Sequence, residues 1–340
     1  MDVNLSLRDS TTEAVVARNL RRTYQKGGRF SRGRREIVAV QDISFAIPCG
    51  TIFGMLGPNG AGKTTTIKML STLLVPSSGT ASVGGYDVVR EDQMVRRQLG
   101  VVLGGDRGLY AKLSGRDNLM YFGTLYGLRK SVCARRSDEV LEMVGLRDRS
   151  DERVEGYSRG MKQRIHLAKA LLHDPPILFL DEPSIGLDPA AAVDLRNSIA
   201  NLAPEHTVLL TTHDMAEADI LCREIAIVDR GLIVAQGTPQ QLKARVAGSR
   251  RIVVSTASAP DGQVAHIEGE LNRLSGVRGL SGETMDGGRR EWTILCTSTT
   301  STLDATLAVL RQFETPISGI SVFEPTLEDA FLAIAGRSFE

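Results

Sequence analysis

The stretch Gly57-Pro58-Asn59-Gly60-Ala61-Gly62-Lys63-Thr64 constrains this chain more than any other. An apolar run, 51–56, leads into it, and 64–74 follows with Ile67, Leu70 and Leu74 on one helical face. A strand therefore passes through a glycine-rich turn into a helix. Glycines there let backbone N–H groups turn inward and ring a phosphate, at a helix N-terminus that already favours anions. Lys63 adds a point charge suited to β- and γ-phosphates, and the Thr64 hydroxyl is placed to ligate Mg²⁺. The spacing thus predicts an α/β layer that binds a nucleoside triphosphate.

Further strand-like runs at 15–20, 37–47, 177–180, 208–212 and 225–228 alternate with helical segments, as an α/β domain requires. A helix over 161–172 groups Ile165, Ala168 and Leu172. A mostly helical block is expected over 92–165, with Ser114 and Asp117 forming a capping box. With 340 residues the chain has room for about two domains, here read as 1–244 and 245–340. The second reads strand (251–255), helix (263–275), two strands (277–280 and 291–296) joined at Asp286-Gly287-Gly288, helix (301–313), strand (317–323) and a last helix. That order, β-α-β-β-α-β with an added helix, predicts a small ferredoxin-like α+β domain. Thr326 and Asp329 should cap the last helix, Leu327, Phe331 and Ile334 form its apolar face, and Gly336 should end it.

The run Ile177-Leu178-Phe179-Leu180-Asp181-Glu182 reads as a buried parallel strand that delivers two carboxylates to the ligand edge of a sheet. Asp181 suits Mg²⁺ held through water; Glu182 suits orienting or deprotonating an attacking water. His213 ends the next apolar strand and could donate to a γ-phosphate.

In order along the chain stand 57–65, then Tyr157-Ser158-Arg159-Gly160-Met161-Lys162-Gln163-Arg164, the Asp181-Glu182 pair, Gly186-Leu187-Asp188, and His213. Together they resemble the nucleotide-binding subunit of an ABC transporter, across most of 15–240. The resemblance implies a P-loop NTPase (RecA-like) core with an antiparallel β subdomain and a helical subdomain. It implies ATP and Mg²⁺ as ligands. Gly57, Asn59, Gly60, Ala61, Gly62, Lys63, Thr64 and Thr65 would bind nucleotide, Thr64 and Asp181 would hold the metal, and Glu182, His213 and Lys63 would act in hydrolysis. Tyr24 occupies the position where family members stack a ring on adenine. Ser158 and Gly160 match the signature loop, whose Ser and Gly grip the γ-phosphate held by an opposite subunit, and Asp188 belongs to the loop that follows Glu182.

Two departures stand out. Arg159 and Met161 replace a Gly and a Gln of the usual signature, as in the branch similar to daunorubicin-type drug-resistance and sodium-export ATPases, which serve ABC-2-type exporters. The Gln that usually follows the first helix is also absent from 99–106, where Asp106 could face the metal or the loop could serve coupling alone.

The resemblance implies a permease embedded in the membrane and a second ATP-binding subunit, a homodimer by expectation. This chain would sit peripherally on the cytoplasmic face. Tyr110, Phe122 and Tyr126 are candidate contacts to the permease. No apolar run approaches the ~18 residues of a membrane span, the early acids argue against a secretory signal, and the four separated cysteines suit reduced thiols. A net charge of +1 gives no argument for nucleic acid, and the basic 29–35 stretch reads as a solvated hairpin tip. The alternative is a soluble ABC ATPase acting on ribosomes or DNA. A ribosomal ATPase usually carries two motif sets and a chromosome-organising one a long coiled coil; neither is present.

Overall fold

The computed structural model describes residues 13–26, 35–103, 108–246, 250–257, 261–285 and 289–336. Asp106, the 286–288 turn and all of the basic stretch but the backbone of Arg35 lie outside them. The chain divides into two compact units, Met1–Pro239 and Gln240–Glu340.

In the first unit five strands run parallel in the order β9 (Glu224–Asp229), β3 (Ile52–Leu56), β8 (Thr207–Thr212), β7 (Ile177–Asp181) and β6 (Leu99–Val102). Every residue of β3, β7 and β8 is buried, which explains their near-continuous apolar sequences: a parallel sheet covered on both faces leaves no polar side. Next to β9 lies β10 (Leu232–Gly237), antiparallel to it. One register pair, Leu232 with Asp42, joins β10 to β2 (Arg35–Pro48). From there the sheet continues as antiparallel β1 (Glu13–Lys26), β4 (Ser78–Val83) and β5 (Tyr86–Asp87). The Phe45 and Phe53 rings stack 5.4 Å apart in the core shared by the two portions.

Helix α1 (Lys63–Leu70) follows β3 and buries Ile67, Met69 and Leu70. It is shorter than the expected 64–74, because the chain turns at Thr72, where φ is +63°. The 92–165 block contains α2 (Asp92–Gln98), α3 (Gly115–Leu125), α4 (Lys130–Met143) and the start of α5 (Arg159–Leu171). It is not helical throughout. Leu99-Gly100-Val101-Val102, read from sequence as part of a loop, is the edge strand β6. Ser114 and Asp117 do form the reciprocal cap of α3. Beyond β7 and β8 come α6 (Pro189–Ala200) and α7 (Met215–Leu221), then α8 (Pro239–Ala244) at the division.

The second unit runs β11 (Arg251–Thr256), α9 (Asp261–Arg273), β12 (Val277–Thr284), β13 (Arg290–Cys296), α10 (Thr299–Gln312), β14 (Ile317–Phe323) and α11 (Leu327–Ala335). Its antiparallel order, β12-β13-β11-β14, is that of a ferredoxin-like sheet. Ile252, Val254, Ile267, Leu271, Ile294 and Leu310 enclose Trp292, whose side chain is fully buried. The α11 cap is formed as expected: Thr326 accepts from the Asp329 N–H at 3.1 Å, Asp329 accepts from the Thr326 N–H at 2.8 Å, and Gly336 ends the helix at φ +63°.

A candidate nucleotide site at the C-terminal edge of the parallel sheet

Parallel strands put their C-terminal ends on one edge, so β3, β7 and β8 bring the phosphate loop, the carboxylate pair and His213 together. Two glycines show why the loop needs them. A methyl group at Gly57 would fall 2.2 Å from the carbonyl oxygen of Val228 on β9, and Gly62 opens α1 at φ +110°. Asn59 and Gly60 are exposed at the tip, Ala61 and Gly62 are buried, and Thr65 is half-buried one residue after Thr64.

The Lys63 side chain lies back along the loop and is almost wholly buried. Its ammonium donates to the carbonyl of Gly57 at 2.6 Å and of Pro58 at 3.2 Å, and sits 3.3 Å from Glu182 Oε1. Glu182 Oε2 lies 3.3 Å from Nδ1 of His213, whose ring is half exposed. The result is a row: ammonium, carboxylate, imidazole. Glu182 adopts φ +48°, the left-handed region that side chains other than glycine avoid. Its N–H donates to the Thr211 carbonyl at 3.0 Å and to the Thr211 hydroxyl at 3.1 Å, which holds the residue there. Backbone strain of this kind persists only where the surroundings over-determine it.

Asp181 is buried at the end of β7. Its Oδ1 accepts from Thr64 Oγ1 at 3.1 Å and from Thr211 Oγ1 at 2.6 Å. One carboxylate beside one hydroxyl at a phosphate loop would suit Mg²⁺, which takes few protein oxygens and relies on substrate phosphates for others. Thr211 did not emerge from the sequence. Its signal is the register that sets Asp181 opposite Thr211, which no local pattern reveals.

Three candidates stand apart. Ser158 caps α5, accepting from the Met161 N–H at 3.2 Å; Gly160 is buried; Asp188 caps α6, accepting from the Ala191 N–H at 3.0 Å. Among the described residues no hydrogen bond or ion pair links these three to Lys63, Glu182 or His213. Tyr24 is 39% exposed near the end of β1, with the Arg22 guanidinium 4.9 Å from its ring centre. Asp106, the candidate replacement for the missing Gln, lies outside the described residues.

The family described as ABC transporter matches residues 40–185. The daunorubicin resistance ATP-binding protein of Streptomyces coeruleorubidus is 38% identical over 299 residues, spanning 88% of this chain and 91% of that protein. The linearmycin resistance ATP-binding protein of Bacillus subtilis is 34% identical over 325 residues, 95% of this chain and 99% of that protein. Among solved structures, an ATP-binding subunit of an ABC transporter superposes with a TM-score of 0.56 at 28% identity, covering 68% of this chain and 92% of its own. A dimeric ATP-binding cassette in a post-hydrolysis state with ADP and Pi gives a TM-score of 0.58 at 24% identity, over 66% of this chain and 98% of its own, a likeness of fold.

Proposed function

This chain belongs to the ATP-binding subunits of ABC transporters, and from that premise we propose that it powers export of a small organic compound through a separate permease in the membrane. It is an ATP hydrolase of the ABC type. The observation that carries the catalytic assignment is the Lys63–Glu182–His213 row above the phosphate loop, with both contacts at 3.3 Å.

The sequence of events follows from those contacts. Loop N–H groups and the N-terminus of α1 receive the triphosphate. The Lys63 ammonium exchanges its Glu182 partner for phosphate oxygens, which are the stronger anion. Glu182 Oε1 is then free to accept a proton from the attacking water, while His213 holds Oε2 and stands at the strand end from which it can reach a γ-phosphate. Thr64 and Asp181 would hold Mg²⁺, with Thr211 fixing the Asp181 carboxylate. When bound, the ion would supply neutralisation of phosphate charge. Tyr24 would stack on the adenine.

Ser158 and Gly160, at the start of α5 and unconnected to the phosphate loop, complete the site of a second copy. Two copies therefore bind ATP head to tail, and the γ-phosphate is the group both touch. Its removal takes away the ligand that favours the closed pair, as coupling requires.

Export rests on relatives. Those with resistance to daunorubicin and linearmycin in their names are covered over 91% and 99% of their length, second unit included. The reading as an ATPase of ribosomes or DNA finds no support in them. No helix among the described residues is long and apolar enough to cross a membrane; in the proposed assembly the permease would hold this chain at the cytoplasmic face. A groove of about 680 Å³, lined by Leu73, Val101, Leu103 and Tyr126 and also by the charged Arg96 and Arg97, supports a seat for a permease segment. Tyr110, half exposed and in edge contact with Tyr121, offers a further aromatic surface.

Glu182→Gln keeps the shape of the side chain and removes the base. It should bind ATP, form a stable dimer on size-exclusion chromatography with Mg-ATP, and lose on the order of 10²-fold or more in turnover. Hydrolysis at the parent rate would remove Glu182 from its assigned role.

A further inference from the structure

The signature segment departs from its family pattern at Arg159, and the site as described gives that residue nothing to do. Arg159 is exposed at the start of α5. Its guanidinium is nevertheless seated. A methyl group built on Gly186 would fall 2.2 Å from Arg159 Nη1, 2.7 Å from Cζ and 2.9 Å from Nη2. Gly186 has φ +68°, a backbone that favours glycine, and the guanidinium occupies the space a side chain there would take. The adjoining residue repeats the arrangement in reverse: a methyl group at Gly160 would fall 2.5 Å from Cβ of Ala191. The start of α5 thus meets the loop before α6 at Gly186 and the first turn of α6 at Gly160, once giving a side chain and once receiving one.

That loop is short and stiff. The Ile185 N–H donates to the Glu182 carbonyl at 3.2 Å, and the Leu187 N–H to the Ser184 carbonyl at 3.1 Å. Two successive turns therefore join Gly186 to Glu182, and little slack separates them. Glu182 itself is held in a left-handed backbone by Thr211, a conformation that a small shift of the following residues can relax or enforce.

We infer that Arg159 locks the signature segment to the 183–188 loop of its own subunit, so that a partner's nucleotide gripped at Ser158 and Gly160 sets the position of Glu182. This rests on the composite site proposed above. Arg159 is a positioning residue: it acts on Glu182 through the 183–188 loop, and it ties occupancy of one site to readiness of the base in the other. A lysine could not replace it fully, because the planar fork that spreads over Gly186 would be lost.

The test uses the purified full-length chain in two backgrounds. In the parent, Arg159→Ala should lower kcat about tenfold while KM for ATP stays within about twofold, the mark of a contact that matters to the reacting arrangement more than to binding. In the Glu182→Gln background, Arg159→Ala should leave the ATP concentration needed for dimer formation unchanged, since Ser158 and Gly160 still face the partner. An unchanged kcat in the first experiment would overturn the inference. So would loss of the dimer in the second, which would place Arg159 at the interface itself. If Glu182→Gln alone never dimerises, the composite site fails first and the inference goes with it.

Discussion

Glu217 is fully buried in the first turn of α7, beside the strand end that carries His213, and neither carboxyl oxygen has a hydrogen-bond partner among the described residues. Burial pushes its pKa up from the ordinary value of 4.5; the nearby hydroxyls of Thr212 and Ser184 offset part of the rise without reaching hydrogen-bond geometry, Asp214 adds to it, and Arg196 opposes it. The sign of the consequence is fixed. A carboxyl with a raised folded-state pKa holds protons that the unfolded chain has released, so stability is greatest below about 4.5 and falls as pH climbs through the folded value. Glu217→Gln removes that loss. Its thermal midpoint should exceed the parent's at pH 8 by about 2–4 °C for each kcal/mol recovered, with the gap closing towards pH 4.5. A gap that stays constant across that range would mean that ionisation of Glu217 plays no part.

Elements explain why some of the site was legible in the sequence and some was not. The phosphate loop, the Asp181-Glu182 pair and His213 are contiguous or sit at the ends of apolar runs, so each announces itself locally, and the capped helices α3 and α11 do the same. Contacts fixed by register or by approach of distant segments do not. Leu99–Val102 became a strand because β7 pairs with it along its length, while Gly100 is demanded by the Ala170 carbonyl, 2.4 Å from where a methyl group would lie. Locally it reads as a glycine-interrupted loop. Thr211 is the functional case: β8 places its hydroxyl opposite Asp181 through pairing alone. Thr211→Val keeps the shape and strand preference but removes the donor to Asp181 and the second acceptor for the Glu182 N–H. It should lower ATPase activity roughly 10- to 100-fold, as loss of an outer partner of a metal-binding carboxylate typically does, and should raise the Mg²⁺ concentration needed for half-maximal turnover. Full activity at the parent's Mg²⁺ requirement would show that strand geometry alone holds Asp181.

At the scale of the molecule, two compact units each enclose apolar residues of their own, and the phosphate loop belongs to the first. Nucleotide that binds only the folded first unit stabilises it by about 2.7 kcal/mol at a hundred times its dissociation constant. In a urea titration with saturating Mg-ATP, the transition of the first unit should move to higher denaturant while that of the second stays in place; equal shifts would mean that the two unfold as one. The chain carries the means to tell them apart. All six tyrosines, from Tyr24 to Tyr157, precede the division, and the single tryptophan, Trp292, lies in the core of the second unit. Emission excited at the red edge of the absorption band therefore comes from one unit alone, and light harvested by tyrosine reaches the indole only by crossing between them. Evolution has left this polypeptide with a donor set and a solitary acceptor, a spectroscopic ruler that needs no added dye.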